Sequence, residues 1–258
     1  MAVNYGPNRY DVVGSFLRPA KLKQAREDFS AGAIDAAALK AVEDECITDL
    51  IAKEKKAGLR FITDGEFRRA TWHLDFMWAF EGIGHSTTED GLPFHDEAAK
   101  IDDTYLTGKI SLAGEHPFVE HFRFAQSFED ENTTAKLTIP APAQFIEQFI
   151  MPMNRKATDA AYESDVLLED DVVAAYLAFI EQVHAAGCRN LQFDDCSWGC
   201  LVDPKAELFF GTDQAGLARI KETLLRVNNR VLDAAPADLC INTHVCRGNF
   251  HSTYASSG

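Results

Sequence analysis

Leu239-Cys240-Ile241-Asn242-Thr243-His244-Val245-Cys246 decides how this chain is read. Apolar and β-branched residues run through it, which predicts a buried strand over residues 239–245. In such a strand His244 and Cys246, two apart, leave on the same side. An imidazole and a thiolate together at a strand end are half of a tetrahedral zinc set. On spacing alone the pair also reads as two unrelated residues in a chain with six cysteines. Cys196 and Cys200, the other closely spaced pair, follow a different strand. They are candidates for further ligands or for small core residues.

Working outward, strand and helix alternate. Short strands are predicted at residues 10–16, 59–63, 136–139 and 190–194. Between them lie helices at about 35–57, 169–186 and 213–232. Asp35 suits the N-cap of the first and Gly58 its C′ position, and Gly187 closes the second. Residues 70–130 break the rhythm with aromatics, charged turns and an alternating stretch at 104–112. They read as a partly antiparallel excursion after the second strand, laid over one domain spanning 1–258. Polar residues stand at nearly every strand end: Ser15, Asp64 with Glu66, Asp194 with Asp195, and His244 with Cys246. In a (β/α)8 TIM-type barrel these ends converge on one mouth, where active sites are built. No Gly-rich phosphate loop follows the first strand, which argues against a doubly wound sheet. Five or six of the eight strands can be found, so the barrel reads as incomplete at its C-terminus.

Composition narrows the functional classes. A formal charge of −15 over 258 residues argues against nucleic acid or an anionic membrane as partner, since both call for basic patches. No apolar run reaches a membrane span, and residues 1–10 lack the apolar centre of a signal peptide. Dispersed cysteines read as reduced thiols of a cytoplasmic protein. Oligomeric state is not legible.

Four segments, in order, carry a resemblance: Val13-Gly14-Ser15-Phe16, Thr63-Asp64-Gly65-Glu66-Phe67, Leu191-Gln192-Phe193-Asp194-Asp195 and Asn242-Thr243-His244-Val245-Cys246. Together they resemble the cobalamin-independent methionine synthase family in a short, single-barrel form. The resemblance implies a zinc-dependent methyl transfer from a reduced folate to the thiol of homocysteine, forming methionine. By position it implies that His244 and Cys246 are zinc ligands, that Glu66 and Asp194 hold the substrate's amino group, and that Ser15 meets its carboxylate. The remaining ligands, a glutamate and a cysteine, and the catalytic histidine are expected beyond Gly258. Where relatives often read Asp-Glu-Pro, this chain has Asp194-Asp195-Cys196. Simpler roles stand beside these: Asp64 suits a turn with Gly65, Asp195 a helix N-cap, and Ser15 a turn next to glycine. The aromatics Trp72, His73, Phe76, Trp78 and Phe80 suit either packing or a flat methyl donor. Arg18, Lys21, Arg68 and Arg69 are a basic cluster that could draw in a polyglutamylated folate. Alkyl transfer to another small thiol, of the coenzyme M type, and an inactive truncated barrel that only binds ligand are the alternatives.

Overall fold

The computed structural model describes residues 11–86, 92–93, 98–99, 102–250 and 252–257. Helices α1 (Ala20–Ser30) and α2 (Ala36–Lys56) precede strand β1 (Phe61–Ile62). Next come α3 (Leu74–Met77), β2 (Glu81–Ser86), β3 (Leu92–Pro93), β4 (Ala98–Ala99), β5 (Asp103–Ser111) and α4 (Pro117–Gln126). The central stretch holds β6 (Thr134–Ala135), β7 (Leu137–Pro140), α5 (Pro142–Ile150), α6 (Arg155–Ala161) and α7 (Asp165–Ala185). The last part holds β8 (Asn190–Asp194), α8 (Ser197–Val202), α9 (Ala206–Phe210), α10 (Gln214–Ala234) and β9 (Cys240–His244).

Local chemistry sets the helix ends. Asp35 caps α2, its Oδ1 accepting from the Ala38 amide at 2.8 Å, and Asp213 caps α10 through the Gly216 amide at 2.8 Å. Helix α7 starts four residues before the expected 169. Asp165 occupies its first turn, while Glu169 is buried and paired with Arg226 of α10 at 2.7 Å.

The parallel strands form an arc. β7, β8 and β9 lie side by side in register, Leu137 opposite Leu191 and Leu191 opposite Ile241. β1 pairs with β6 in parallel, and Lys136 alone separates β6 from β7. Alternation divides the arc into two faces. Leu137, Ile139, Leu191 and Phe193 face the helices and are buried. Tyr176 of α7 sets its ring edge-on to Phe193 and donates to the Pro140 carbonyl at 2.8 Å. The opposite face is polar: Thr63, Lys136 and Thr138, then Asn190, Gln192 and Asp194, then Asn242 and His244.

Two expectations are corrected here. The described residues form an α/β fold with a three-stranded and a two-stranded parallel sheet; they do not close a (β/α)8 barrel. The predicted first strand is not a strand either. Residues 11–16 (Tyr10 lies outside the described residues) run across the polar face of the arc. Thr63 Oγ1 donates to the Gly14 carbonyl at 2.8 Å and Gln192 Nε2 to that of Val13 at 2.6 Å. Lys136 Nζ reaches the Val12 carbonyl and Asp11 Oδ2. The segment's backbone is thus satisfied by inward side chains instead of a neighbouring strand.

Within residues 70–130, β2 and β5 pair antiparallel, with a bulge between Glu81 and Ile83. Gly82 makes that bulge possible: it takes φ 78°, and a Cβ there would lie 2.2 Å from the Lys109 carbonyl oxygen. Thr104, Leu106 and Ile110 of β5 turn inward, and the Tyr162 hydroxyl accepts from the Ile110 amide. Phe76 is the hub of an aromatic cluster with Phe80, Phe118, Phe145, Tyr176 and Phe179 at centroid distances of 5.0–6.5 Å. Phe76 and Phe80 therefore pack the core, and burial of rings like these contributes about 1.5–3 kcal/mol each. Among the described residues no helix is long and apolar enough to cross a membrane.

Glu54 gives the fold a pH signature. It is buried on α2 and accepts from the Thr63 amide and hydroxyl at 3.1–3.3 Å. Burial pushes its carboxyl up to about 7 from an ordinary 4.5. Between those values the folded state holds a proton that the unfolded chain has released, so stability falls as pH rises through this window. Chemical unfolding followed from pH 4.5 to 8 should show that decline, and Glu54→Gln should make it shallower, leaving the share of Asp194 and Glu147, which burial also raises to about 7. An equally steep decline in the variant would assign the effect to another group.

Candidate functional site

Glu66 is the most constrained residue of the arc's rim. β1 runs into Thr63-Asp64-Gly65-Glu66, where Gly65 (φ 66°) and Glu66 (φ 58°) are both left-handed. Gly65 adopts this freely, and a Cβ there would meet Leu50 at 2.4 Å. For Glu66 it costs about 1–2 kcal/mol, and the surroundings hold it. Asp64 Oδ1 accepts from the Glu66 amide at 2.8 Å, and Arg18 donates to the carbonyls of Glu66 (2.9 Å) and Arg69 (3.2 Å). The turn aims the Glu66 side chain inward, where Thr138 Oγ1 donates to Oε1 at 2.8 Å and Arg69 Nη1 stands 3.4 Å from it. Among the described residues nothing bonds Oε2. Backbone strain kept this way on a buried carboxylate is characteristic of functional positions.

Asp194 ends β8, a strand buried throughout. Its Oδ1 accepts from Gln192 Nε2 at 2.7 Å, and Gln192 Oε1 accepts from Lys136 Nζ at 2.9 Å. Burial pushes its carboxyl up to about 7, and the negative charge of Glu66 adds to the rise. The two buried carboxylates thus repel each other, and Arg69 offsets part of that repulsion.

Ser15 is exposed, between two anchored neighbours. Gly14 (φ 134°) lies against Thr138, and the Phe16 amide donates to the Gly65 carbonyl at 3.1 Å. The segment that carries Ser15 therefore abuts the Glu66 turn.

His244 ends β9 opposite Asp194, and its carbonyl accepts from the Asp195 amide at 2.9 Å. The neighbouring Cys246 raises the proton affinity of the His244 imidazole. Cys246 also lies beside Cys196, Sγ to Sγ 3.0 Å, and accepts from the Gly248 amide at 3.4 Å. Cys196, then His244 and Gly248, bring the Cys246 thiol down to about 4 against the effect of burial, while the Cys196 thiol is raised. Burial pushes Cys200 up to about 12.

The donor set is compatible with zinc at two positions. His244 and Cys246 offer an imidazole and a thiolate side by side. Cys196 does not complete the set as placed. Two thiolates on one tetrahedral zinc, each at ~2.3 Å, stand about 3.8 Å apart, well beyond the 3.0 Å here. Among the described residues no group of three or more His, Cys, Asp or Glu side chains is disposed to hold a metal.

Other candidates separate from the site. Trp78 stacks on His85 at 3.9 Å, and Trp72 lies against His73 at 4.5 Å. The basic cluster is not a surface patch. Arg69 is buried and donates to the Thr138 carbonyl at 2.7 Å, Arg68 binds Glu43 and Asp44, Lys21 binds Glu45, and Arg18 serves the Glu66 turn. Asp195 is no N-cap: its Oδ2 accepts from Trp198 Nε1 (2.7 Å) and Asn228 Nδ2 (2.9 Å), tying the loop to α10. Thr138, Gln192 and Lys136, which hold the two carboxylates, escaped the sequence reading. A signal for them was present as polar residues two apart in otherwise apolar strands.

Comparison with known proteins now bears on the class. The chain is 36% identical over 255 residues to Bacillus subtilis YxjH and 35% identical over 256 residues to YxjG of the same organism. Each match covers 98% of this chain, which spans 65% of either relative's length. A crystal structure from Listeria monocytogenes, provisionally assigned as a vitamin-B12-independent methionine synthase, superposes with a TM-score of 0.74 at 32% identity, over 95% of this chain and 67% of that one. A second, a B12-independent methionine synthase from Shewanella sp. W3-18-1 in complex with selenomethionine, shares the fold at a TM-score of 0.59 and 16% identity, over 84% of this chain and 55% of that one. A Streptomyces avermitilis 5-methyltetrahydropteroyltriglutamate–homocysteine methyltransferase is 27% identical over 183 residues, 71% of this chain and 22% of that protein. No family model matches the sequence. The fold is an α/β fold of the kind seen in these methionine synthase structures. The chain belongs to the cobalamin-independent methionine synthase family.

Gly14 tests how tightly the site is assembled. A methyl at this position would lie 2.5 Å from Thr138 Cγ2 with φ still at 134°. Gly14→Ala should lower stability by about 1–3 kcal/mol in urea unfolding. Adding Thr138→Ser, which deletes that methyl and keeps the hydroxyl on Glu66, should recover part of the loss. Strict additivity of the two changes would disprove the contact.

Proposed function

We propose that this chain takes part in zinc-dependent transfer of a methyl group, from a reduced folate or related donor, to the thiol of homocysteine, forming methionine. The observation that carries the proposal is the pair of buried, mutually repelling carboxylates, Glu66 and Asp194, with Asp194 in register beside His244. A primary ammonium between Glu66 and Asp194 relieves their repulsion and bonds the unused Glu66 Oε2. That contact sets the substrate's sulfur toward His244 and Cys246, since Asp194 and His244 are register partners. The Shewanella relative, in complex with selenomethionine, supports an amino-acid ligand. An amino-free thiol of the coenzyme M type would have no cation to offer these two carboxylates beyond the one Arg69 supplies, so the amino-acid reading is preferred.

Zinc, when bound, would deprotonate the substrate thiol and hold it as a thiolate. His244 and Cys246 would supply two of its ligands. Positioning is the share of this chain's own residues: Thr138 and Arg69 fix Glu66, and Gln192 fixes Asp194. Ser15, exposed next to the Glu66 turn, is the proposed partner of the substrate carboxylate. A reducing, cytoplasmic setting goes with the proposal, and six free cysteines support it.

Binding of L-homocysteine and of zinc, measured separately by calorimetry, tests this reading. Glu66→Gln and Asp194→Asn should each weaken homocysteine binding roughly tenfold to a hundredfold, the worth of one charge-assisted partner at about 1.5–3 kcal/mol. Both should leave zinc content unchanged. His244→Ala and Cys246→Ser should instead lose the metal. If the carboxylate variants lost zinc while binding homocysteine as before, the assignment of roles would be wrong.

A further inference from the structure

The contact between Cys196 and Cys246 has no place in methyl transfer, yet the fold brings it about by register. β8 and β9 are paired so that Asp194 stands opposite His244. Two residues further along each chain are Cys196, at the start of α8, and Cys246. The sulfurs are 3.0 Å apart, and closing to a bond of about 2.05 Å needs only small side-chain rotations. Both cysteines are half-buried, accessible to a small oxidant, whereas Cys46 and Cys188 are sealed in the core.

We propose that Cys196 and Cys246 are a modification site, a dithiol that a peroxide converts to a disulfide and that a small dithiol reductant restores. The cross-link itself stands on this geometry alone. Its consequence, that oxidation withdraws Cys246 from a metal, rests on the zinc reading above. Cys246, with the Gly248 amide directed at its sulfur, attacks one peroxide oxygen as the thiolate. The O–O bond breaks, the other oxygen leaves as water or alcohol, and Cys246 carries a sulfenic acid. The Cys196 thiol then attacks that sulfur, the S–S bond forms, and the Cys196 proton passes to the departing hydroxide to make water. In sum two thiols and one peroxide give a disulfide, one water and one further water or alcohol: the sulfurs lose two electrons and the O–O bond gains them. Two thiol–disulfide exchanges with the reductant reverse the change. Cys200, one helical turn from Cys196, is the internal competitor.

The test uses the whole chain, reduced and then exposed to hydrogen peroxide, with peptide mass spectrometry under non-reducing conditions. The expected product is a single Cys196–Cys246 cross-linked peptide, with loss of two free thiols of the six and full recovery on reduction. Cys200→Ser should still form it, and Cys196→Ser should not. A Cys196–Cys200 cross-link, or direct over-oxidation of Cys246 without any cross-link in the folded wild type, would overturn the proposal. Zinc binding of the same samples separates the two readings. Oxidised wild type should lose zinc binding that reduced wild type shows, and should regain it with reductant. If reduced protein binds no zinc but the cross-link forms, the zinc reading fails and the modification site stands. If zinc binds and no cross-link forms, this inference alone fails.

Discussion

The register of three parallel strands is the constraint from which the site follows. Pro140, Asp194 and His244 form one row across β7, β8 and β9, and Thr138 and Gln192 form the row beneath. Each strand alternates faces, so fixing one pair fixes every polar side chain on the inner surface. A slip of one residue would turn Asp194 toward the helices and Phe193 into the site. Burying Leu191, Ile139 and Phe193 against α5 and α7 holds the register in place, which is how an apolar face sets the positions of polar groups on the opposite one.

A polar inner face has to be satisfied, and residues 11–16 do this. Lys136 is fully buried and cannot remain a bare cation there. Asp11 and the Val12 carbonyl on one side and Gln192 on the other provide its partners. Gln192 in turn commits one amide hydrogen to Asp194 and the other to the Val13 carbonyl. The segment bearing Ser15 and the strand bearing Asp194 are therefore coupled through two side chains. A buried network of this kind is costly when broken in part, since each lost partner strands another polar group.

Much of this was legible in the sequence. The helix cap at Asp35 sits where its chemistry predicts, and β8 matches its expected residues at both ends. The adjacency of His244 and Cys246 follows from period-two spacing. What could not be read is long-range. That residues 11–16 cross the sheet instead of joining it depends on Thr63, Lys136 and Gln192, which are 49 to 179 positions away. Arg68 and Arg69 looked like a surface patch because charge counting does not see Glu43, Asp44 and Glu66 folding over to meet them. Closure of a barrel rests on strand pairings that a local pattern cannot supply.

The change from Asp-Glu-Pro to Asp194-Asp195-Cys196 shows how one loop can be stiffened by other means. A proline limits its own φ and that of the residue before it. Here Asp195, wholly buried, reaches both Trp198 on the following helix and Asn228 on α10. Asn228 Oδ1 also accepts from the Ala143 amide at the start of α5, so the loop after β8 is tied to the helices on either side. The shorter Asp side chain is what keeps that carboxylate close to the backbone, facing the helices and away from the site. With Asp195 so engaged, Asp194 is left as the one carboxylate of the pair directed at the rim. The freed third position then carries a thiol, and the strand register sets that thiol level with Cys246. The loop that Asp195 ties down thus also places a second sulfur beside Cys246.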